Sequence, residues 1–443
     1  VKITLRPHQE RAIAAVRRCY AKKVRRVLLV APTGFGKTAV SSVLIAWAVG
    51  KQRKVLFLVH RREIVKDTHR RLVAAGVAAG LIMADEKPTE APVQVASVAT
   101  IVARETFPAA DLIVWDEAHH TAAESYRAIA AQYPAAWHLG LTATPERADG
   151  VGLRDAFDEL VVGATVRELQ EALDPATGAP YLAACEVVST RRALESGTLS
   201  EDPVTAWKRH APGRSTVLFA RTVDESKAHA AAFNIAGIPA GHIDGTTPAR
   251  DRDATLAAFA AGELLVLCNV YVLTEGWDCP RAKVCLLARS CGSAATYLQM
   301  IGRVLRAHQG ESALLIDLVG AMHLHGYPDE ERVFSLDGIE RKPKKDRPWI
   351  RQCLTCGYCV LGAKAGPACA RCGTGWPAQA RSTVVHEHLG TVRGLALPTR
   401  EELGAEYREW LKTERDRKYK PFWAAVQFKK KYGAYPNKMG VRA

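Results

Sequence analysis

The sequence predicts an α/β protein of two tandem parallel-sheet domains, followed by a small cysteine-bearing module and a basic helical tail. Three observations carry that prediction. Short apolar runs alternate with helix-like patterns over about the first 320 residues, as parallel strands joined by crossover helices do. The alternation loosens once, after Gly163, through Leu173-Asp174-Pro175-Ala176-Thr177-Gly178, and then resumes. The charge is also asymmetric. Of 61 Lys+Arg and 46 Asp+Glu, residues 338–443 hold 22 and 9, so the net +15 lies almost wholly in the last quarter of the chain.

In the first domain, runs at 26–31, 55–59, 93–98, 111–115 and 137–141 read as strands, with helices such as 37–49 and 62–75 between them. A second set of strands follows at 216–220, 240–243, 264–268, 284–288 and 313–317. The expected divisions are 1–165, 166–337, a basic linker and metal module at 338–385, and a tail at 386–443. A content of 48% hydrophobic and 24% charged residues excludes a collagenous or largely disordered chain. The longest apolar stretch, near 39–49, falls short of the ~20 residues a bilayer requires. Val1-Lys2-Ile3-Thr4-Leu5-Arg6 lacks the apolar core of a signal peptide. A cytoplasmic protein with no membrane partner is expected, and the basic tail points to nucleic acid.

Residues Ala31-Pro32-Thr33-Gly34-Phe35-Gly36-Lys37-Thr38 lie between a strand and a helical pattern, the setting of a phosphate-binding P-loop. Gly34 and Gly36 let backbone N–H groups wrap a phosphate at a helix N-terminus. Lys37 then reaches the β,γ-phosphates and Thr38 holds Mg²⁺. The apolar run Leu112-Ile113-Val114-Trp115 ends in Asp116-Glu117-Ala118-His119. A carboxylate at that strand end orders magnesium, and its neighbour Glu117 activates the attacking water. Further on, Arg303 and Arg306 stand three apart on an expected helix. On one face they suit a transferring phosphoryl group, though such a pair taken alone reads as a solvated surface.

The ordered series Leu5-Arg6-Pro7-His8-Gln9, 34–38, 116–119, Leu141-Thr142-Ala143-Thr144-Pro145, Thr274-Glu275-Gly276-Trp277-Asp278 and 299–306 resembles the motif set of superfamily 2 DEAD/DEAH-box helicases. The resemblance covers about residues 1–320 and implies two RecA-like domains sandwiching ATP. It implies Lys37, Asp116, Glu117, Gln299, Arg303 and Arg306 as catalytic groups. Arg6, Gln9, Thr33, Gly34, Gly36, Lys37, Thr38, Gly276 and Asp278 would meet the nucleotide, with Gln9 reading adenine. His119, Thr142 and Thr144 would couple hydrolysis to domain movement, and Arg61, Ser97, Thr100, Arg221 and Thr274 would contact a nucleic-acid backbone. Within the superfamily the chain looks like the bacterial RadD-type group, akin to the XPB and UvsW helicases, from its late cysteine cluster and its segment 419–433. That likeness implies DNA repair, recombination or replication, DNA in preference to RNA, and single-strand-binding or recombinase proteins as partners.

Cys353-Leu354-Thr355-Cys356-Gly357 and Cys369-Ala370-Arg371-Cys372-Gly373 are two knuckles offering four thiolates to a structural Zn²⁺. Cys359 reads as a spare thiol, with a substitute ligand as the alternative. In the tail, basic residues interleave with Tyr407, Trp410, Tyr419, Phe422, Trp423, Phe428, Tyr432 and Tyr435, which suits single-strand binding. Tyr419, Phe422, Trp423 and Val426 also fall at i, i+3, i+4 and i+7, the spacing of a buried helix face, and that reading is preferred here. The expected function is a nucleic-acid-dependent ATPase acting as a DNA helicase or translocase, using ATP, Mg²⁺ and Zn²⁺. The alternatives are a zinc-containing recombination accessory protein whose ATPase regulates occupancy, an RNA helicase, and a restriction-enzyme motor whose nuclease lies on another chain.

Overall fold

The structure, a computed structural model, describes residues 4–376 and 400–439, except 61, 84–85, 87–88, 122–123, 148, 275, 278, 307–309, 340–348 and 433–434. The chain divides into two compact units after Trp376. No described helix is long and apolar enough to cross a membrane.

In the first lobe of the larger unit, β1 (Arg26–Val30), β2 (Val55–Val59), β3 (Ala79–Ile82), β4 (Val93–Ser97), β5 (Leu112–Asp116), β6 (Trp137–Thr142) and β7 (Glu159–Val162) form one parallel sheet. Its order is β3-β4-β2-β5-β6-β1-β7. The inner strands are continuous apolar runs such as Val55–Val59, buried at every position, because helices cover both faces. The order β5-β6-β1 matters most. It brings the ends of the carboxylate strand, the Thr142 strand and the P-loop strand side by side, with Asp116 level with Leu141 and Val30 level with Thr142.

The second lobe repeats the plan with β8 (Cys185–Ser189), β9 (Thr216–Ala220), β10 (Ala240–Ile243), β11 (Val266–Asn269), β12 (Val284–Ala288) and β13 (Ala313–Asp317), parallel in the order β10-β11-β9-β12-β13-β8. Residues 173–178, expected as a loop, lie in turns, and the rest of the connection between the two sets of strands contains the helix Val166–Glu171, β8 and the helix Pro203–His210.

Two later elements tie the unit together. β14 (Phe334–Ser335) and β15 (Gly338–Ile339) form a hairpin that returns from the second lobe to the first. Its Leu336 joins the core around Trp115, Tyr126 and Phe157, and its carbonyl accepts from Leu153 N at 2.7 Å. Arg154 pairs with Asp337 at 2.6 Å, and Glu146 Oε2 accepts from Ile339 N at 3.3 Å. The exposed ion pair contributes little, so Leu336 is the anchor, with burial worth about 2 kcal/mol.

β16 (Ile350–Gln352) and β17 (Tyr358–Leu361) then extend the second sheet, β17 lying antiparallel to β8. The cysteine module is therefore continuous with the second lobe's sheet.

In the first lobe His138 is buried, and its Nδ1 accepts from Trp115 Nε1 at 3.0 Å. Burial pulls its pKa down to about 4, so the unfolded chain takes up a proton at higher pH than the folded one. Stability is expected to be full above about pH 6.5 and to fall by up to about 3 kcal/mol as pH drops to about 4. Thermal melts of wild type and His138→Gln across that range check this, the variant losing less on acidification.

The smaller unit is a hairpin of two helices, Arg400–Asp416 and Trp423–Tyr432. Leu403 and Phe428 are buried between them, with Tyr407 and Trp410 packed alongside. The aromatic face expected from Tyr419 to Val426 does not form. The second helix begins only at Trp423, and Phe422, Tyr419 and Val426 are exposed by 78%, 39% and 40%. Helical spacing counted through a turn places no residues on a common face.

Candidate ATP site and cysteine ribbon

The P-loop follows β1 and ends in the helix Lys37–Gly50. Gly34 and Gly36 have φ of +88° and +90°, which non-glycine residues rarely adopt. A side chain on Gly36 would also strike the Gln9 amide, 2.3 Å from the ideal Cβ position. Lys37 folds across the loop and donates to Ala31 O at 3.0 Å. Desolvation lowers its pKa, opposed by the carboxylates of Glu117 and Asp116 and reinforced by the guanidiniums of Arg303 and Arg306. These groups share a cleft of about 520 Å³, with Arg6, Gln9, Thr33, Thr38 and Gly276 also on its walls.

Glu117 leaves β5 in the left-handed region, φ 49° and ψ 55°. For a non-glycine residue this strain costs on the order of 1 kcal/mol, and such strain clusters at active sites. Its Oε2 is buried without a hydrogen bond, His119 Nδ1 standing 3.5 Å away. An orphaned carboxylate beside a lysine and a glycine cradle fits a magnesium nucleotide and its water. Thr38 and Asp116 would hold the ion, which when bound would draw charge from the β,γ-phosphates. Lys37 would neutralise the same oxygens, and Glu117 would orient the water and receive its proton.

His119 links the lobes. Its Nδ1 lies 3.2 Å from Thr142 Oγ1 and its Nε2 lies 3.4 Å from the Gln299 amide nitrogen. Thr142 Oγ1 donates to Thr144 O at 2.8 Å, while Thr144 Oγ1 is buried without a partner. From the second lobe, a Cβ on Gly302 would sit 2.8 Å from Thr33, so the helix Ala294–Gly302 lies hard against the P-loop. Arg303 is buried, donating to Thr274 O at 2.9 Å and Trp277 O at 2.8 Å.

One expectation needs revision. Arg303 and Arg306 do not share a helical face, because the helix ends at Gly302 and Arg306 pairs as an isolated bridge with Leu182. Both still line the cleft. The Gln9 amide, on the cleft wall, accepts from Arg6 N at 2.9 Å and donates to Phe35 O at 2.8 Å. Ser97 and Thr100 are buried and bond each other at 2.8 Å as a helix cap, so neither hydroxyl is offered to a backbone phosphate in this conformation. Thr274 is likewise buried, and Arg221 is paired with Glu225 at 2.5 Å. Arg61 and Asp278 lie outside the described residues. Sequence reasoning missed Tyr181, whose ring lies under the Arg6 guanidinium at 4.6 Å on the cleft wall. A lone aromatic in a loop carries no motif that could have revealed it.

The chain's residues 2–147 match the family model described as type III restriction enzyme, res subunit, and residues 201–308 match the helicase conserved C-terminal domain. A 51.5 kDa protein of a Lactococcus phage is 30% identical over 378 residues, 78% of this chain and 77% of that one. The chain belongs to the superfamily 2 helicases. This ATP-dependent helicase-family chain is also 30% identical over 345 residues to the irc3 protein of Schizosaccharomyces pombe, covering 71% of itself and 57% of that protein. It is 23% identical over 376 residues to the DNA 3'-5' translocase XPB2 of Sulfurisphaera tokodaii, covering 72% and 82%. It thus spans little more than half the length of the yeast relative.

Cys353, Cys356, Cys369 and Cys372 place their sulfurs within 4.8 Å of one another, the only such group among the described residues. The pairs 353–372 and 356–369 are 3.6 and 3.7 Å apart, the edge of a tetrahedron around an ion with metal–sulfur bonds of about 2.3 Å. Gly357 and Gly373, at φ +70° and +72°, turn the two knuckles. Hydrogen bonds from Thr374 bring the Cys372 thiol down to about 6, which favours the thiolate. Cys359 lies outside the group, buried and bonded to Gly357 O, as a spare thiol would be. Arg371 fastens the second knuckle through Glu186 at 3.0 Å and His210 O at 2.5 Å.

Proposed function

We propose that the chain is a DNA-stimulated ATPase of DEAH-box type that translocates along DNA or unwinds it in the cytoplasm, with a structural zinc in the ribbon. One observation carries the reading most strongly. Lys37, Asp116, Glu117, Arg303 and Arg306, drawn from both lobes, line one cleft, so hydrolysis depends on how the lobes close. His119, between Thr142 and Gln299, is the route by which closure is sensed. DNA is favoured over RNA by the DNA translocase relative, while the cationic tail suits the phosphates of either nucleic acid. The late cysteine ribbon and the aromatic, lysine-rich tail support a RadD-like placement, with roles in repair or recombination. The match to a restriction-enzyme subunit model keeps a restriction motor as the competing reading.

ATP turnover measured with single-stranded, duplex, forked and junction DNA and with RNA tests the proposal. At least about tenfold stimulation by one DNA form is expected. Absence of stimulation by any DNA, or greater stimulation by RNA, would overturn it. The accessory-protein alternative is tested by truncation, which must fall after Trp376, because residues 350–361 are strands of the second sheet.

A further inference from the structure

We propose that the turn joining the two tail helices, residues 417–422, is a single-stranded nucleic-acid site in which Phe422 stacks on a base and Arg417, Lys418 and Lys420 hold the flanking phosphates. The inference rests on the reading of the chain as a nucleic-acid motor and supplies a binding element outside the lobes.

The hairpin's own packing is met without this turn, since Leu403, Tyr407, Trp410 and Phe428 make its core. The turn is nonetheless well held. Tyr419 N donates to Glu414 O at 3.0 Å, Trp423 N to Lys420 O at 3.1 Å, and Ala424 N to the Glu414 carboxylate at 2.7 Å. Phe422 stands at its end, 78% exposed. In the same turn, the Tyr419 and Trp423 rings lie together at 4.6 Å. Arg417, Lys418 and Lys420 are exposed, and none has a carboxylate within ion-pair distance among the described residues.

The backbone adds a second, independent sign. Phe422 occupies the left-handed region, at φ 71°, whereas the φ of 51° at Lys418 belongs to the cap that ends the first helix, with Tyr419 N bonded to Glu414 O. Stability alone favours glycine or asparagine at the Phe422 position, and bulky side chains at such angles mark functional strain. An exposed aromatic held at that cost beside three unpaired cations needs a ligand with both a π-face and negative charge. Single-stranded nucleic acid has both, whereas duplex bases are closed within the stack. A purely apolar protein pocket would accept the ring but leave the cations without a partner.

The test uses the full chain without nucleotide and a fluorescent 20-base single strand, with Phe422→Ala and Phe422→Gly compared against wild type. Both should weaken binding by about 5- to 100-fold. Phe422→Gly should melt no lower than wild type, because glycine relieves the strained φ. Lys418→Ala and Lys420→Ala should each reduce the log-log salt slope by about 0.7. Affinity unchanged within twofold in both Phe422 variants, or ring removal that affects only capture of a protein partner, would overturn the proposal.

DNA titration of ATP turnover separates this result from the motor reading. Equal half-saturating DNA in wild type and Phe422→Ala, with stimulation intact, removes the turn and leaves the motor. No stimulation of the wild type removes the motor reading, while oligonucleotide binding by the Phe422 pair still decides the turn.

Discussion

Glu117→Gln is expected to lower nucleic-acid-stimulated ATP turnover by about 100- to 10,000-fold, the usual contribution of a general base, while leaving ATP affinity within a few-fold. One carboxylate oxygen, Oε2, is buried without a hydrogen bond at the end of a strained turn, so the amide keeps the shape and loses only the proton acceptor. Lys37→Ala should fail differently. It removes the cation beside both carboxylates and should weaken nucleotide binding as well as turnover. Equilibrium binding of a fluorescent ATP analogue alongside steady-state hydrolysis distinguishes the two, and substantial turnover by either variant would contradict the assigned roles.

Loss of the four-sulfur site is expected to have the second large effect. Cys369→Ser should release the metal and lower the melting temperature by about 10 °C. In small zinc peptides a structural zinc is worth about 10–16 kcal/mol, and losing only ~4 kcal/mol produces such a shift in a domain of this size. The damage should reach the second lobe, because β17 pairs with β8 and Arg371 anchors to Glu186 and His210. Metal content measured with calorimetry checks this, and a metal-free variant melting like wild type would count against it.

Much of the nucleotide site was legible because its chemistry demands particular residue types at short spacing. The glycines around Phe35, the lysine after them and the paired carboxylates ending an apolar run all announced themselves. Strands β3, β7 and β8 did not, since Ala79–Ile82 and Glu159–Val162 are four-residue edge strands and Cys185–Ser189 sits among turns. Helical periodicity carried Arg306 onto a helix that stops at Gly302, because pattern does not record where a backbone turns to pair with Leu182. The same blindness put Tyr419 and Phe422 on a helix face. Ser97 and Thr100 illustrate another limit, for the residue types that meet phosphates are also those that cap helices. Tyr181 and Leu336 act through contacts far along the chain, and no local spacing encodes either.

The return of Leu336 to the first lobe changes how that lobe can move against the second. Chain passes between them near residues 163–183, again on the way into the β14–β15 hairpin, and a third time between Ile339 and Ile350. As long as Leu336 stays seated the hairpin moves with the first lobe, so wide opening of the nucleotide cleft carries the cost of drawing an apolar side chain out of the Trp115 core.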